Sequence, residues 1–387
     1  MEHVLTFVDG GKGQWMREWR QLWRRPAGRK VMVFLNPVGG NKQARHIWDS
    51  QASRMFEQAG IATDVSETKH QGHATEMVRS ADLTGVHGLV CVSGDGLLVE
   101  VVNGLLSRRD ASRHVGIPLG IIPAGSGNGM AASVLLRGGE RCDVTCAVLA
   151  IIRGHVEKLD VGAVNQEGAQ PFHSVLSVGW GLASDTDIEA DSLRWVGSAR
   201  FTIQGVVNIA KKRTYEGRLK MLSPGSGPGG SGERGPTARG NRTNGGGGDE
   251  GLQWRTIEGK FSMVWALNVT HAASDNFTCP HAELADGCFD VLVLRDDVKR
   301  STILTMFLEM EKGSHIKNPA VEYYKAKEIV WEPLSEAGML SVDGELMACG
   351  ADTLDLLPKM HRGHELPLAY SKTQISVKHG LLRIFST

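Results

Sequence analysis

Along the first third of the chain, apolar and polar positions repeat one pattern three times: a continuous apolar run, a glycine-bearing turn, then a stretch with helical spacing. The copies are VMVFLNPVGGNKQARHIW from Val31, GLVCVSGDGLLVEVVNGLL from Gly88 and PLGIIPAGSGNGMAASVL from Pro118. Strands covered by helices on both faces read as unbroken apolar runs, so the alternation predicts a doubly wound α/β domain over residues 29–149. Beyond it the apolar segments shorten, as in FHSVLSVGWGL, GRLKML, GKFSMVWALNV, FDVLVL and EIVWEP, with turn formers between them. That texture predicts a mainly antiparallel second domain over residues 150–350, with one helix near SARFTIQGVVNIAKKR and another near STILTMFLEMEKG.

Two stretches break the pattern. Residues 223–251 hold 12 glycines in 29 positions and no aliphatic residue beyond one alanine. Such a segment buries too little apolar area to offset its ordering entropy, so it reads as a flexible surface insertion. Within the N-terminal segment 1–28, Trp15, Trp19 and Trp23 fall on one helical face among Lys12, Arg17, Arg20, Arg24 and Arg25. That arrangement suits an anionic membrane surface, a calmodulin-like partner, or a helix docked on the protein's own core.

Composition changes this picture mainly by exclusion. The 387 residues are 41% hydrophobic and 22% charged, with 43 basic and 43 acidic side chains, so no global field collects nucleic acid. The six cysteines form no CxxC pair and read as reduced thiols, and no stretch has the roughly 18 apolar residues of a membrane span. No apolar core of a secretory signal precedes residue 30, and the expectation is a cytoplasmic protein with reversible membrane contact.

Candidate chemistry lies at the three turns. In an open α/β sheet a ligand sits beyond the carboxyl ends of the strands, where main-chain N–H groups at helix starts receive phosphate oxygens. Gly39, Gly40, Gly94, Gly96, Gly125, Gly127 and Gly129 would admit a polyphosphate where side chains would block it. Neither GDGLLV nor GSGNGM completes GxGxxG, and GxxxxGK[ST] is absent, which counts against a dehydrogenase and a P-loop ATPase. Asp95 stands between two glycines in SGDGLLVE, where it either caps a helix or takes the proton of an acceptor hydroxyl. Glu100 and Asn103 follow on the same helix, open to ligand contact or to capping.

Taken together, NPVGGNK, SGDGLLVEVVNGLL, PAGSGNGMAAS, LSVGWGLASDTDIEADSLRWVGSARFT, RTYEGRL, FLEMEKGSH and VDGELM resemble the sphingosine kinases, within the diacylglycerol kinase family of lipid kinases. The resemblance runs from about residue 30 to 350. It implies a β-sandwich lipid-binding second domain, ATP and Mg²⁺ as cofactors, and a sphingoid base as substrate. Around the nucleotide it places Asn36, Pro37, Val38, Thr68, Lys69, His70, Gln71, Gly72, Glu100, Gly125, Ser126, Gly127, Arg194, Arg200, Asp343, Gly344 and Glu345. Around the acceptor it places Ser93, Gly94, Asp95 and Gly96, with Asp95 as general base, and it sets Asp187 and Ser177 at the lipid's polar head. No metal ligand is identified. An apolar pocket for the tail would involve the helix with Phe201, Ile203 and Val207, which could equally be core.

Two departures qualify it. Val38 stands where the family commonly has arginine, and residues 351–387 do not follow the family pattern, so they are expected as a divergent tail. The alternatives are a ceramide or diacylglycerol kinase, or a catalytically weak lipid- or nucleotide-binding sensor.

Overall fold

The computed structural model describes residues 28–40, 42–197, 199–224, 241–242, 251–362 and 366–387. Strands β1 (Lys30–Leu35), β2 (Ala62–Glu67), β3 (Leu89–Ser93) and β4 (Leu119–Pro123) form a parallel sheet in the order β4-β3-β1-β2. Every residue of β3 is buried, as its unbroken apolar run requires of a central strand. The edge strand β2, ATDVSE, is mostly exposed and polar, so it shows none of the apolar signal that marks the other three. Helices α1 (His73–Ser80), α2 (Asp95–Leu106), α3 (Gly129–Arg137) and α4 (Val144–Arg153) accompany the sheet. Gly104 lets α2 lie close to α1, since a Cβ there would stand 2.8 Å from the Thr75 carbonyl oxygen. Helix α4 starts where Asp143 Oδ1 accepts from the Cys146 N–H at 2.9 Å and stops at Gly154, φ +70°.

The second half contains β5 (His155–Asn165), β6 (Phe172–Ser174), β7 (Ser177–Gly181), β8 (Tyr215–Pro224), β9 (Asn241–Arg242), β10 (Leu252–Leu267), β11 (Phe289–Arg295), β12 (Glu322–Ala326), β13 (Glu328–Pro333), β14 (Met339–Val342), β15 (Glu345–Cys349) and β16 (Thr373–Ser386). Their mutual pairings are antiparallel, and the long β10 runs beside β7, β8, β9 and β11. Trp180, Phe261 and Trp331 meet in its core, with ring centroids 5.8 and 5.6 Å from Trp180. Three helices, α5 (Leu182–Glu189), α6 (Ala199–Lys211) and α7 (Arg300–Glu309), complete it, two of them where the helical spacing places them.

The tail whose sequence leaves the family pattern carries a long strand. Residues Thr373–Ser386 form β16, which pairs with β5 and β13 and, at Ile384 opposite Leu119, runs parallel to β4. A single strand therefore ties the two sheets together. It is hard to read because its register shifts between Lys378 and Leu382, which breaks the alternation. Buried Asp160 anchors that irregularity, its Oδ1 facing His379 Nδ1 at 3.1 Å and its Oδ2 accepting from the Gly287 N–H at 2.6 Å. One apolar cluster joins both halves, with Leu97, Leu98 and Met130 packed among Leu159, Val175, Val269 and Ile384.

The N-terminal Trp/Arg segment, up to residue 27, lies outside the described residues. So does most of the glycine-rich insertion; Ser223 and Pro224 end β8, and Asn241–Arg242 pairs with Thr256 and Arg255 of β10.

Candidate active site

The three glycine turns pack on one another at the carboxyl ends of β1, β3 and β4. A Cβ on Gly125 would stand 2.2 Å from the Gly94 Cα, and one on Gly40 2.8 Å from the Gly125 Cα, so these backbones touch directly. Gly39 lies against Ser93, whose Oγ would be 3.2 Å from an added Cβ. The first turn is closed from within: Asn36 Oδ1 accepts from the N–H groups of Val38 (3.1 Å) and Gly39 (3.0 Å), leaving Val38 exposed. Asn128 closes the third, in the left-handed region at φ +59°, with Oδ1 accepting from Gly125 N–H and Nδ2 donating to Gly125 O, both at 2.9 Å. Sequence reasoning passed over Asn128, although asparagine is the non-glycine residue that most readily adopts that backbone.

Asp95 opens α2 without capping it. Its carboxylate reaches the start of α3, where Oδ2 accepts from Gly129 N–H (2.8 Å) and Oδ1 from Met130 N–H (2.9 Å). Burial pushes this carboxyl above its ordinary range, while main-chain N–H groups, those of Met130 and Gly129 foremost, oppose the rise. Capping and proton acceptance are thus both open to the same group. Glu100 does the equivalent for α1, its Oε2 accepting from Ala74 N–H at 3.0 Å.

Across the cleft, β14 and β15 meet in a two-residue turn, Asp343 and Gly344, with φ +51° and +82°. The turn carries Glu345 back to the first domain: its Oε2 accepts from Gln71 Nε2 at 3.2 Å, and its Oε1 lies 3.9 Å from a Cβ placed on Gly96. Asp343 faces the other way. Its carboxylate accepts from Ser174 Oγ (2.7 Å) and from the N–H groups of Val175, Leu176 and Ser177 (2.8–3.0 Å). Burial pushes it up to about 6 against these four donors. It therefore orders the segment entering β7, Ser177 included, instead of presenting its carboxylate to a nucleotide. Asn103 is turned away too, bonded to the His173 main chain at 2.8 and 2.9 Å.

The loop after β2 forms one lip of the cleft. Thr68 is buried with its N–H donating to Leu35 O at 2.9 Å, and Lys69 N–H donates to His73 Nδ1 at 3.1 Å. Gly72 makes the turn into α1 at φ +83°. His70 and His73 lie with ring centroids 4.7 Å apart. Ser126 and Gly127 belong to the third turn, where Gly127 O accepts from Ser274 N–H of the second half at 2.7 Å.

Helix α5 follows β7 and packs on the β14–β15 hairpin, which brings Asp187 to the same side of the molecule. Burial and the neighbouring charge of Asp191 push Asp187 up to about 7, with Arg200 opposing. Arg200 Nη1 donates to Asp191 Oδ1 at 2.9 Å. The phosphate role of Arg194 rests on a side chain outside the described residues. On α6, Ile203 and Val207, expected at a tail pocket or in the core, are exposed, while Gln204, Gly205, Asn208 and Ile209 face inward.

A doubly wound sheet with glycine turns stacked at its carboxyl edge, a desolvated carboxylate among them and an antiparallel domain closing over it define the diacylglycerol kinase class of lipid kinases. Residues 30–164 match the diacylglycerol kinase catalytic domain, and residues 176–362 the YegS C-terminal NAD kinase beta sandwich-like domain. The fold is similar to that of a putative diacylglycerol kinase from Bacillus anthracis, with a TM-score of 0.61 at 19% identity over 94% of this chain and 99% of that one. The chain is 40% identical to sphingosine kinase 1 of Arabidopsis thaliana over 92% of its own length and 75% of that protein's. To sphingosine kinase 2 of the same plant it is 37% identical, over 96% and 78%. The chain belongs to the sphingosine kinase family.

Proposed function

We propose that this enzyme transfers the γ-phosphoryl group of ATP to the primary hydroxyl of a sphingoid base, with Asp95 as general base. The observation that carries the reading is the Asp95 carboxylate, buried among mutually packed glycine turns and held by the Gly129 and Met130 N–H groups. Gly127 keeps the space beside it clear for an acceptor hydroxyl, since an added Cβ there would stand 3.4 Å from Asp95 Oδ2. The two N–H groups stop the carboxylate from rotating, and desolvation raises its proton affinity toward that of a useful base. As the bond to the γ-phosphorus forms, the hydroxyl proton passes to Asp95.

An added Cβ at Gly40 or Gly125 would collide with main chain already in place, so the turns stack this closely only as glycine. The nucleotide would lie against the Asn36–Gly40 and Gly125–Gly127 turns and the Thr68–Gly72 loop, with Arg200 and Glu345 closing from the second domain. Carried in with the nucleotide, Mg²⁺ would supply charge neutralisation at the phosphates. Among the described residues one cluster has metal-ligand spacing, His70, His73 and Glu76; imidazoles suit other metals, so we assign Mg²⁺ to the nucleotide. At the lipid head, an ionised Asp187 supplies the counter-charge to the ammonium group.

An exposed apolar face supports reversible membrane contact by a cytoplasmic protein. Ile203, Val206 and Val207 on α6 are 41–45% exposed, and beside them α7 presents Leu304 and Leu308, the latter 63% exposed. Trp195, 84% exposed, stands before α6. Membrane is the occupant that fits, since the substrate has to be drawn from it.

Purified protein with labelled ATP, Mg²⁺ and a panel of sphingosine, sphinganine, phytosphingosine, ceramide and diacylglycerol tests the assignment. Phosphorylated sphingoid bases are expected; equal turnover of ceramide, which lacks the ammonium, would overturn it. In the same preparation Val206→Asp with Leu308→Asp should lose vesicle binding about tenfold while turnover of detergent-solubilised sphingosine persists.

A further inference from the structure

We propose that His361 is a positioning residue of the kinase cleft: it holds Asp191 so that this carboxylate fixes the Arg200 guanidinium for the nucleotide phosphates. The inference rests on the phosphate role given to Arg200 in the reading above.

Asp191, 9% exposed in its side chain, lies in the 3-10 turn Ala190–Val196 between α5 and α6. Two of its partners lie on different oxygens. Oδ1 accepts from Arg200 Nη1 at 2.9 Å, and Oδ2 faces His361 Nε2 at 3.0 Å. A carboxylate gripped at one oxygen swings about its Cβ–Cγ bond, whereas one gripped at both presents each oxygen in a set direction. The three side chains are 9–20% exposed, so solvent screens them less than it screens a surface pair. Phe201 backs the guanidinium, with Arg200 Cζ 4.4 Å from the ring centroid.

An independent contact holds His361 in place. Its short turn, Lys359–His361, follows Leu357, which is buried against Ile188 of α5, Met339 of β14 and Leu346 of β15. Arg362 Nε donates to Leu357 O at 2.8 Å, folding the segment back on itself. The turn is thus clamped to the helix that bears Asp187 and to the hairpin that bears Glu345. Asp191 also raises the proton affinity of Asp187 while Arg200 lowers it, so the direction in which Asp191 points bears on the lipid side of the cleft as well.

Calorimetric titration of the full chain with Mg·AMP-PNP reads the inference without turnover. His361→Ala should weaken binding about five- to tenfold at unchanged Tm, and His361→Gln, which keeps a donor near the Nε2 position, should stay within about twofold of the parent. In an Arg200→Ala background His361→Ala should add less than about twofold, because its effect passes through Arg200. Unchanged affinity in His361→Ala, additive losses in the double variant, or failure of Gln to restore binding would each overturn it. Sphingosine turnover by the parent is measured separately: its absence would sink the substrate assignment and leave the binding titration to decide the role of His361.

Discussion

The acids at the glycine turns and the acids around α5 are held differently. In the α/β half, Asp95 and Glu100 direct their oxygens to main-chain N–H groups at the starts of α3 and α1. In the second half the acids of α5 and the turn after it are held by side chains from distant positions. Tyr215 Oη donates to Asp185 Oδ2 at 2.8 Å, Gln204 Nε2 to Glu189 Oε2 at 2.7 Å, and Arg213 bonds Glu189. Asp191 lies between Arg200 and His361. Main-chain partners stay wherever the fold puts them, whatever the side chain beside them. Side-chain partners can be exchanged one at a time. The Asp95 side of the site is therefore fixed by the fold, and the cluster around α5, Arg200 included, is open to tuning by substitution.

Four substitutions would break or sharpen that contrast. The largest effect is expected at Asp95→Asn, where kcat for sphingosine should fall about 10²- to 10⁴-fold with Mg·ATP binding largely kept. Steady-state turnover with a nucleotide titration checks it; unchanged kcat would remove Asp95 as the base. Gly125→Ala comes next, because its Cβ would stand 2.2 Å from the Gly94 Cα. A loss of about 3 kcal/mol in urea unfolding is expected, and full stability would mean the turns are not as tightly stacked as described.

Asp187→Asn acts on the tunable side and should raise KM for sphingosine about tenfold at near-constant kcat. The parent should also show a pH dependence. With its carboxyl pushed up to about 7, Asp187 is protonated and uncharged below that pH and ionised above it. KM for sphingosine should therefore fall as pH rises from about 6 to about 7.5, and the Asn variant should be flat over that interval. The smallest effect is expected at Glu100→Gln, which removes the charge facing the start of α1 and should cost about 1 kcal/mol, read as a small drop in Tm.

Much of the fold was legible because it is written in local pattern. The apolar runs of β1, β3 and β4 and the glycines after them follow from burial on both faces and from close backbone approach. β2 escaped because an edge strand needs no apolar run, and β16 because an irregularity at Lys378–Leu382 interrupts its alternation. At the site, Asp95 and Glu345 were legible as residues in unusual turns. Asp343, two positions before Glu345, was assigned to the nucleotide with it, yet its carboxylate serves the Ser174–Ser177 main chain. Asp343 lies within the tight turn and Glu345 just after it, so their side chains point in different directions, and spacing alone does not say which one faces the cleft.

The sequence by itself determined the family, the alternation of strand and helix, and the glycine turns that a phosphate requires, because each depends on residues near one another in the chain. Only the tertiary structure decided which group each carboxylate faces. Asp95 meets α3 across 34 positions, Gln71 meets Glu345 across 274, and His361 meets Asp191 across 170. Such partners are chosen by how the sheet brings the turns together, and the energy of a charge depends on the donor a few ångströms away rather than on its neighbours in sequence.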